Sequence, residues 1–523
     1  MRFTFSVMKT ALALVLLSLL TIKSEGSNIL VLLPLPLYSH TNTFMPVFKE
    51  LAIRGHNVTM VSPYPQKDSI PNWTEVIING TAAEEKLGSA VKQMVGLNRY
   101  RFFSFIARVL SELMEVTFQE ETLQNLIKAE DLQFDLVIIE PFVSEPLVAF
   151  GHKLNVPVVN IYPLAPSPWV SYLTGGEVSF SLMPNIRTEY TNQMTFLERL
   201  DNTLINLIEL VTNYFYYIPR QEALMKKYMV YPGSDRLPDL LTMLQDISLT
   251  LLDYHMSVGY VEPLQPNQIP VGGLTLRTDG QLPKDLQDIM DESKSGVIYI
   301  SFGSFLGSNQ VPEEWLVALL EAMAKLDQTV LFKWNMDIPK KPKNVIVRKW
   351  YPQSSVLTHP NLRLFVTHSG LHSITEATYF GIPLVCMPFF TDQLYNSKFV
   401  QQAGYGLIVR EENRTSENIY WAINTVLNDP RFKEKALERS KIVKDRPQTA
   451  LESAVYWIEY VLRHKGAKHL KPARAQFNIY QALSIDVAAC FLVVISLSLL
   501  IVYKSIRIVC CAICSRAPKV KKD

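Results

Sequence analysis

The chain has 523 residues, and about 460 of them lie between two apolar terminal segments, too many for one typical core, so two domains are expected. Its 51 Lys and Arg against 49 Asp and Glu give a net charge of only +2, which excludes a broadly basic nucleic-acid-binding face. Of five cysteines, Cys386 alone precedes the second apolar segment, so no disulfide framework can hold the main body together.

Residues 1–26 carry Arg2 and Lys9 ahead of an apolar core from Ala11 to Leu20, with small Ser24 and Gly26 at signal-peptidase spacing. This is the pattern of a secretory signal peptide. SNILVLLPL then reads as a strand, PLYSH as a loop, TNTFMPVFKELAIRG as a helix and HNVTMVSP as a strand. That order is a βαβ unit of the doubly wound type. It lacks G-x-G-x-x-G, which argues against a nicotinamide-dependent oxidoreductase. Asn57, Asn72, Asn79 and Asn413 stand in N-x-S/T sequons. Between Lys86 and Met229 the chain is rich in Phe, Tyr, Leu and Met, as in RYRFFSFIARVL and LINLIELVTNYFYYIP. Such stretches read as amphipathic helices, either ordinary core or lining for an apolar pocket. FDLVIIE, the helical EPFVSEPLVAFGHKL and the strand PVVNIY continue the alternation. PVGGLTLRTDGQLPKDLQDIM has the glycines, prolines and charges of a linker, and GVIYISFGS opens a second half.

The densest signal is FVTHSGLHSITEATYFGIPLVCMPFFTDQ, residues 365–393. It reads as strand, turn, helix, strand and loop. Ser369 is placed to cap the helix, and Gly370 has no Cβ to block a close ligand. A helix N-terminus presents unpaired N–H groups and partial positive charge, so a phosphate sits well there, with His368 and Ser373 adding donors. Glu376, three residues after Ser373 on the same face, suits vicinal hydroxyls, and Asp392 with Gln393 suits sugar hydroxyls. After this unit PQTALESAVYWIEYVLRH reads as a helix. The apolar run from Val487 to Tyr503, extended by Ile485, is long enough to span a bilayer. The tail from Lys504 to Asp523 holds six Lys and Arg and one acid, net +5, which leaves −3 for the rest and sets the tail on the cytosolic side.

The segment 365–393 resembles the donor-binding signature of the UDP-glycosyltransferases, with every fixed position of T-H-S-G, Ser, Glu, Pro and D-Q filled. The wording of FTDQLYNSKFVQQAGYG is closest in style to invertebrate members. The resemblance implies an α/β chain of GT-B type: two facing Rossmann-like doubly wound domains plus one C-terminal transmembrane helix. The implied bounds are signal peptide 1–26, acceptor-binding domain 27–272, donor-binding domain 273–445, helical return and membrane-proximal segment 446–484, span 485–503 and basic tail 504–523. A UDP-sugar is the co-substrate, no separate cofactor is implied, and invertebrate style favours glucose over glucuronate. Donor contacts fall on Ser301, Gly303 and Ser304 of SFGS, Trp350 and Gln353 of WYPQ, and His368, Gly370, Ser373, Glu376, Asp392 and Gln393. Trp350 offers an indole face to uracil.

His40, in the loop leaving the first strand, is the expected general base, because imidazole titrates near working pH and LPLPLYSHTNTF resembles the family's catalytic-histidine segment. The family places an Asp at the end of the strand that starts Phe-Asp; here the residue is Glu140, one methylene longer, with Glu145 the alternative partner. Asp135, at the opposite end of that strand, reads as structural. No Asp, His or Cys cluster has metal-ligand spacing, so metal-independent transfer is expected, and a single in-line displacement inverts the anomeric centre. Small lipophilic acceptors and one membrane span are the expected partners, with no nucleic acid; the oligomeric state stays open. The terminal KVKKD resembles a dilysine signal for coat-protein recognition, which implies a single-pass type I protein of the endoplasmic reticulum with lumenal domains. Glu140 in the Asp position also keeps open a non-catalytic module that binds UDP-sugar or lipophile.

Overall fold

The computed structural model describes residues 26–94, 97–141, 144–176, 178–278, 280–303, 311–338, 340–389, 391–472 and 477–515. The expected signal peptide, Ser304 and the KVKKD tail therefore lie outside the described residues. The chain divides into a unit ending at Lys471 and a second from Pro472 onward.

The first unit is built on two all-parallel sheets. One contains β1 (Asn28–Leu32), β2 (Asn57–Ser62), β3 (Trp73–Ile77), β4 (Leu136–Ile139), β5 (Val158–Tyr162), β6 (Leu249–Leu252) and β7 (Gln268–Pro270), in the order β3-β2-β1-β4-β5-β6-β7. The other contains β8 (Val297–Ser301), β9 (Thr329–Lys333), β10 (Val345–Arg348), β11 (Leu362–Thr367), β12 (Leu384–Cys386) and β13 (Gly406–Ile408), in the order β10-β9-β8-β11-β12-β13. The central strands are apolar along their length because helices cover both faces: Ile29 to Leu32, Leu136 to Ile139 and Leu364 to Val366 are fully buried.

Helix α1 (Tyr38–Ile53) lays Phe44, Phe48 and Leu51 on the first sheet. Helix α2 (Phe102–Phe118) lies in the connection between β3 and β4, and α3 (Phe196–Thr212) in that between β5 and β6. In the second half, α4 (Leu371–Phe380) follows β11 and α5 (Gln393–Gln402) follows β12. Helix α6 (Ala450–Arg463) returns to the first sheet, where Val455, Ile458 and Val461 join the core beneath α1. A Thr449–Glu452 capping box starts it.

Three expectations change. Tyr38, Ser39 and His40 form the first turn of α1, not a loop. The segment read as a linker is packed: Val271 and Leu274 are core residues, and Lys284–Glu292 is helical. In the second unit, α7 runs Ile485–Ser515, well past the expected end at Tyr503, since neither Gly nor Pro interrupts it. Its stretch Ile485–Ala512, mean hydropathy 2.7, is long and apolar enough to cross a membrane.

Candidate active site

Open parallel sheets form a ligand crevice at the carboxyl ends of neighbouring strands where strand order reverses. The first sheet reverses between β1 and β4, the second between β8 and β11. His40 follows β1 and Glu140 follows β4; Ser301 ends β8 with Gly303 just after it, and His368 and Gly370 follow β11. The two crevices thus hold the expected catalytic residues and the turns expected to hold phosphate.

The Nδ1 of His40 lies 2.6 Å from Oε1 of Glu140. The imidazole side chain is 18% exposed and the carboxylate 5%, so the contact is shielded on the carboxylate side and reachable on the other. The contact orients the ring through Nδ1. The longer Glu thus reaches the imidazole from the position where the family pattern has Asp. Glu145 does not join this pair. It accepts a 2.6 Å hydrogen bond from the Tyr217 hydroxyl. Burial pushes its carboxyl up to about 8, against the opposing pull of that bond. Asp135 accepts from the Asn28 N–H at 2.8 Å and ties the starts of β1 and β4, a structural role.

On the facing side, Ser369 does not cap α4. Its φ of +69° turns the chain left-handed, and Gly370 takes the N-cap place with no side-chain cap bond. The first-turn amides keep their capacity for an anion. Gly303 and Gly370 embrace the His368 ring: a Cβ on either would lie 2.8 or 2.6 Å from its atoms, so both positions require glycine. Burial pushes the His368 imidazole down to about 4, reinforced by the Lys333 charge, which leaves it a neutral hydrogen-bonding group.

Gln353 donates to Oε2 of Glu376 at 2.5 Å and to the Ser373 hydroxyl at 3.3 Å, while the Ser354 hydroxyl donates to the other Glu376 oxygen. Burial raises the Glu376 carboxyl, with those two bonds opposing. Trp350, two residues past β10, is 64% exposed. Asp392 accepts from Asn396 at 2.7 Å and from Thr391 at 3.0 Å, and Gln393 accepts from the Phe389 N–H at 2.8 Å.

Two groups escaped the sequence reading. Lys333, the last residue of β9, donates to the Gly303 carbonyl at 3.1 Å and stands 4.4 Å over the Trp350 ring. Its signal was a lone lysine closing an apolar strand at the ligand edge. His372 lies in the signature itself, and its Nε2 sits 2.8 Å from Thr43 Oγ1 and 3.1 Å from Asp253 Oδ2. The Thr43 hydroxyl gives its proton to the Ser39 carbonyl, so Nε2 carries the proton and donates to Thr43. Burial works against charging His372, but the hydrogen bond and charge of Asp253 outweigh it and raise its pKa. This bridge ties α4 to α1 at Thr43, three residues beyond His40. Among the described residues no three His, Cys, Asp or Glu side chains gather as a metal site.

The family profile described as UDP-glucoronosyl and UDP-glucosyl transferase matches residues 28–520. The chain is 33% identical to UDP-glycosyltransferase UGT5 of Dactylopius coccus over 492 residues, 92% of each chain. It is 33% identical to UDP-glucuronosyltransferase 1A6 of Mus musculus, over 91% of this chain and 89% of that one. Among solved structures, the calicheamicin glycosyltransferase CalG4 superposes with a TM-score of 0.55 at 19% identity, covering 84% of this chain and 99% of that one. A UDP-glucose: anthocyanidin 3-O-glucosyltransferase in complex with UDP gives 0.54 at 16% identity, again over 84% of this chain and 99% of that one. At these identities the structures speak for the fold, which is GT-B.

Proposed function

The chain belongs to the UDP-glucoronosyl and UDP-glucosyl transferase family, and from that premise we propose that it transfers glucose from UDP-glucose to a hydroxyl of a small lipophilic acceptor, with inversion and with His40 as general base. Two contacts carry this reading, one within the first crevice and one joining the two halves of the site. Glu140 holds one nitrogen of His40, and three residues along α1 Thr43 meets His372 of α4, whose N-terminus is uncapped.

The steps follow from the residues. His40 takes the acceptor proton on Nε2 as the oxygen attacks the anomeric carbon; Glu140 fixes the tautomer and stabilises the imidazolium. The departing diphosphate gains charge, which the α4 amides and the Lys333 ammonium offset. Trp350 stacks on uracil, Glu376 takes the ribose hydroxyls, and Asp392 with Gln393 orients the sugar. Attack from the face opposite the leaving group converts an α-linked donor into a β-glycoside. With neutral donors and a cation placed there, the transfer needs no metal ion.

Leu35 and Leu37, just before His40, pack with Ala107, Leu110 and Tyr217, an apolar surround suited to a lipophilic acceptor. A second Dactylopius coccus relative, 34% identical over 92% of this chain, is called UDP-glucosyltransferase 2, which fits glucose. Helix α7 is read as a single span, with the catalytic domains in the lumen of the endoplasmic reticulum and the basic tail in the cytosol. The test is UDP release by the membrane-bound protein with UDP-glucose and UDP-glucuronate against phenols, flavonoids and steroids. Turnover with UDP-glucose that disappears in His40→Ala, while UDP still binds, is expected. Donor binding without turnover across the panel would instead mean a binding module.

A further inference from the structure

Arg414 is a buried cation with no counter-charge in contact. It follows the short turn Glu411–Asn413 beyond the carboxyl end of β13 and is only 5% exposed. Its guanidinium carbon lies 4.2 Å from the centre of the Trp315 ring and 4.3 Å from that of Phe389. Its Nη2 donates to the Pro388 carbonyl. Among the described residues Nε and Nη1 find no hydrogen-bond partner, and no carboxylate forms an ion pair with the group. Burial pushes the guanidinium down to about 10, against the nearby charges of Glu411 and Glu412, so it remains protonated at neutral pH. A methionine would fill this site at less cost, because a buried charge and unpaired donors both oppose folding and two ring faces offset only part of that. Stability therefore does not account for an arginine here.

What the cation fixes is the chain that follows β12. Pro388 and Phe389 open the stretch that leads to Asp392 and Gln393. The Phe389 N–H donates to Oε1 of Gln393 at 2.8 Å. The carbonyl held by Arg414 and the N–H that holds Gln393 belong to one peptide unit. That unit is planar and trans, so its carbonyl and N–H point in opposite directions, and fixing one fixes the other. A cation on the carbonyl also polarises the amide and strengthens its N–H as a donor. The Phe389 ring is pinned from another side by Phe302, which meets it edge-on at 5.5 Å.

We propose that Arg414 is a positioning residue for the donor sugar: through the Pro388–Phe389 peptide it sets the carboxamide of Gln393, at some loss of stability. This rests on the reading of Gln393 as a sugar contact. The effect is confined to the sugar, since Trp350, Gln353 and Glu376, assigned to the nucleoside, stand on other elements.

The experiment is calorimetric titration of the full-length membrane-bound protein with UDP, UDP-glucose and UDP-glucuronate, alongside thermal melts. Arg414→Met removes the charge and the donor at similar length. Its Kd for the UDP-sugar that wild type binds should rise about tenfold, the factor for one lost hydrogen bond from a charged group. Its Kd for UDP should stay within about threefold, and its Tm should hold or rise. Arg414→Lys keeps a charged donor for the Pro388 carbonyl and should recover most of the loss. Gln393→Ala, the reference for the sugar contact, should weaken the UDP-sugar and not UDP. If Gln393→Ala does so and Arg414→Met does not, the proposal falls and the sugar contact stands. If Gln393→Ala has no effect, or wild type binds neither UDP-sugar, the sugar reading falls and the proposal with it. Equal weakening of UDP and UDP-sugar in Arg414→Met, a lowered Tm or loss of folding in that variant, or no recovery in Arg414→Lys assigns Arg414 to the core and overturns the proposal.

Discussion

The contact between His40 and Glu140 makes Glu140→Gln the most informative perturbation. The side chain keeps its size and its acceptor oxygen but loses its charge. With 2.6 Å between Nδ1 and Oε1, the charge centres of imidazolium and carboxylate lie about 4 Å apart, and an effective dielectric near 20 makes their attraction roughly 4 kcal/mol. That attraction exists only once the imidazole is charged, in the transition state, so it appears in kcat as a loss of about a thousandfold. Donor affinity should stay within about threefold, because Glu140 is not assigned to the donor. Glu140→Asp keeps the charge but withdraws it by about 1.5 Å, one bond length, so its loss should be intermediate. Glu145→Gln should change kcat little, since Gln imitates the neutral acid that burial already favours at Glu145. The assay is UDP release under saturating acceptor, paired with calorimetric titration of UDP. Near-normal kcat in Glu140→Gln, or collapse in Glu145→Gln, would refute the assignment.

Trp350→Ala should weaken UDP binding by about 1–3 kcal/mol, the usual worth of a base stacked on an aromatic ring, with kcat under saturating donor little changed; an unchanged Kd removes Trp350 from the uracil site. Activity should survive exhaustive chelation, and loss restored by Mg²⁺ would contradict metal-independent transfer. His372→Ala removes a charge-assisted bridge worth roughly 1–3 kcal/mol. Because the folded pKa of His372 is raised, that stabilisation is complete below about pH 6.5 and fades as pH climbs through the folded value. The Tm gap between wild type and variant should therefore be larger near pH 6 than near pH 9, and a gap that grows with pH would reverse the sign. Glu262, buried against Tyr395 and held by its 3.0 Å hydrogen bond, is pushed up to about 8 by burial. Folding then takes up a proton at Glu262 between about pH 4.5 and 8, and this group's contribution to stability declines across that window by up to about 1.4 kcal/mol per pH unit. Glu262→Gln should make the decline seen in thermal melts shallower by that amount, and an unaltered slope would show that Glu262 ionises freely in the fold.

The sequence by itself determined the class of the fold and the strand, turn and helix of residues 365–393. Fully buried parallel strands are written as short apolar runs, and the 365–393 signature is contiguous, so its strand, turn and helix could be read locally. Local reading also went astray where conformation depended on neighbours. Ser369 had a capping side chain, but its left-handed φ passed the cap to Gly370. Only the tertiary structure decided which acid meets His40: Glu140 and Glu145 are five residues apart, yet one ends a central strand at the switch point and the other turns inward to Tyr217. The same holds for His372, whose partner Thr43 is 329 residues away, and for Lys333, whose role follows from β9 lying beside β8. Helix α3 shows the limit most plainly. Periodicity reveals that a helix has an apolar face, but the direction of that face is set by what packs on the other side, and here Asn185, Arg99 and Tyr190 claimed the polar one.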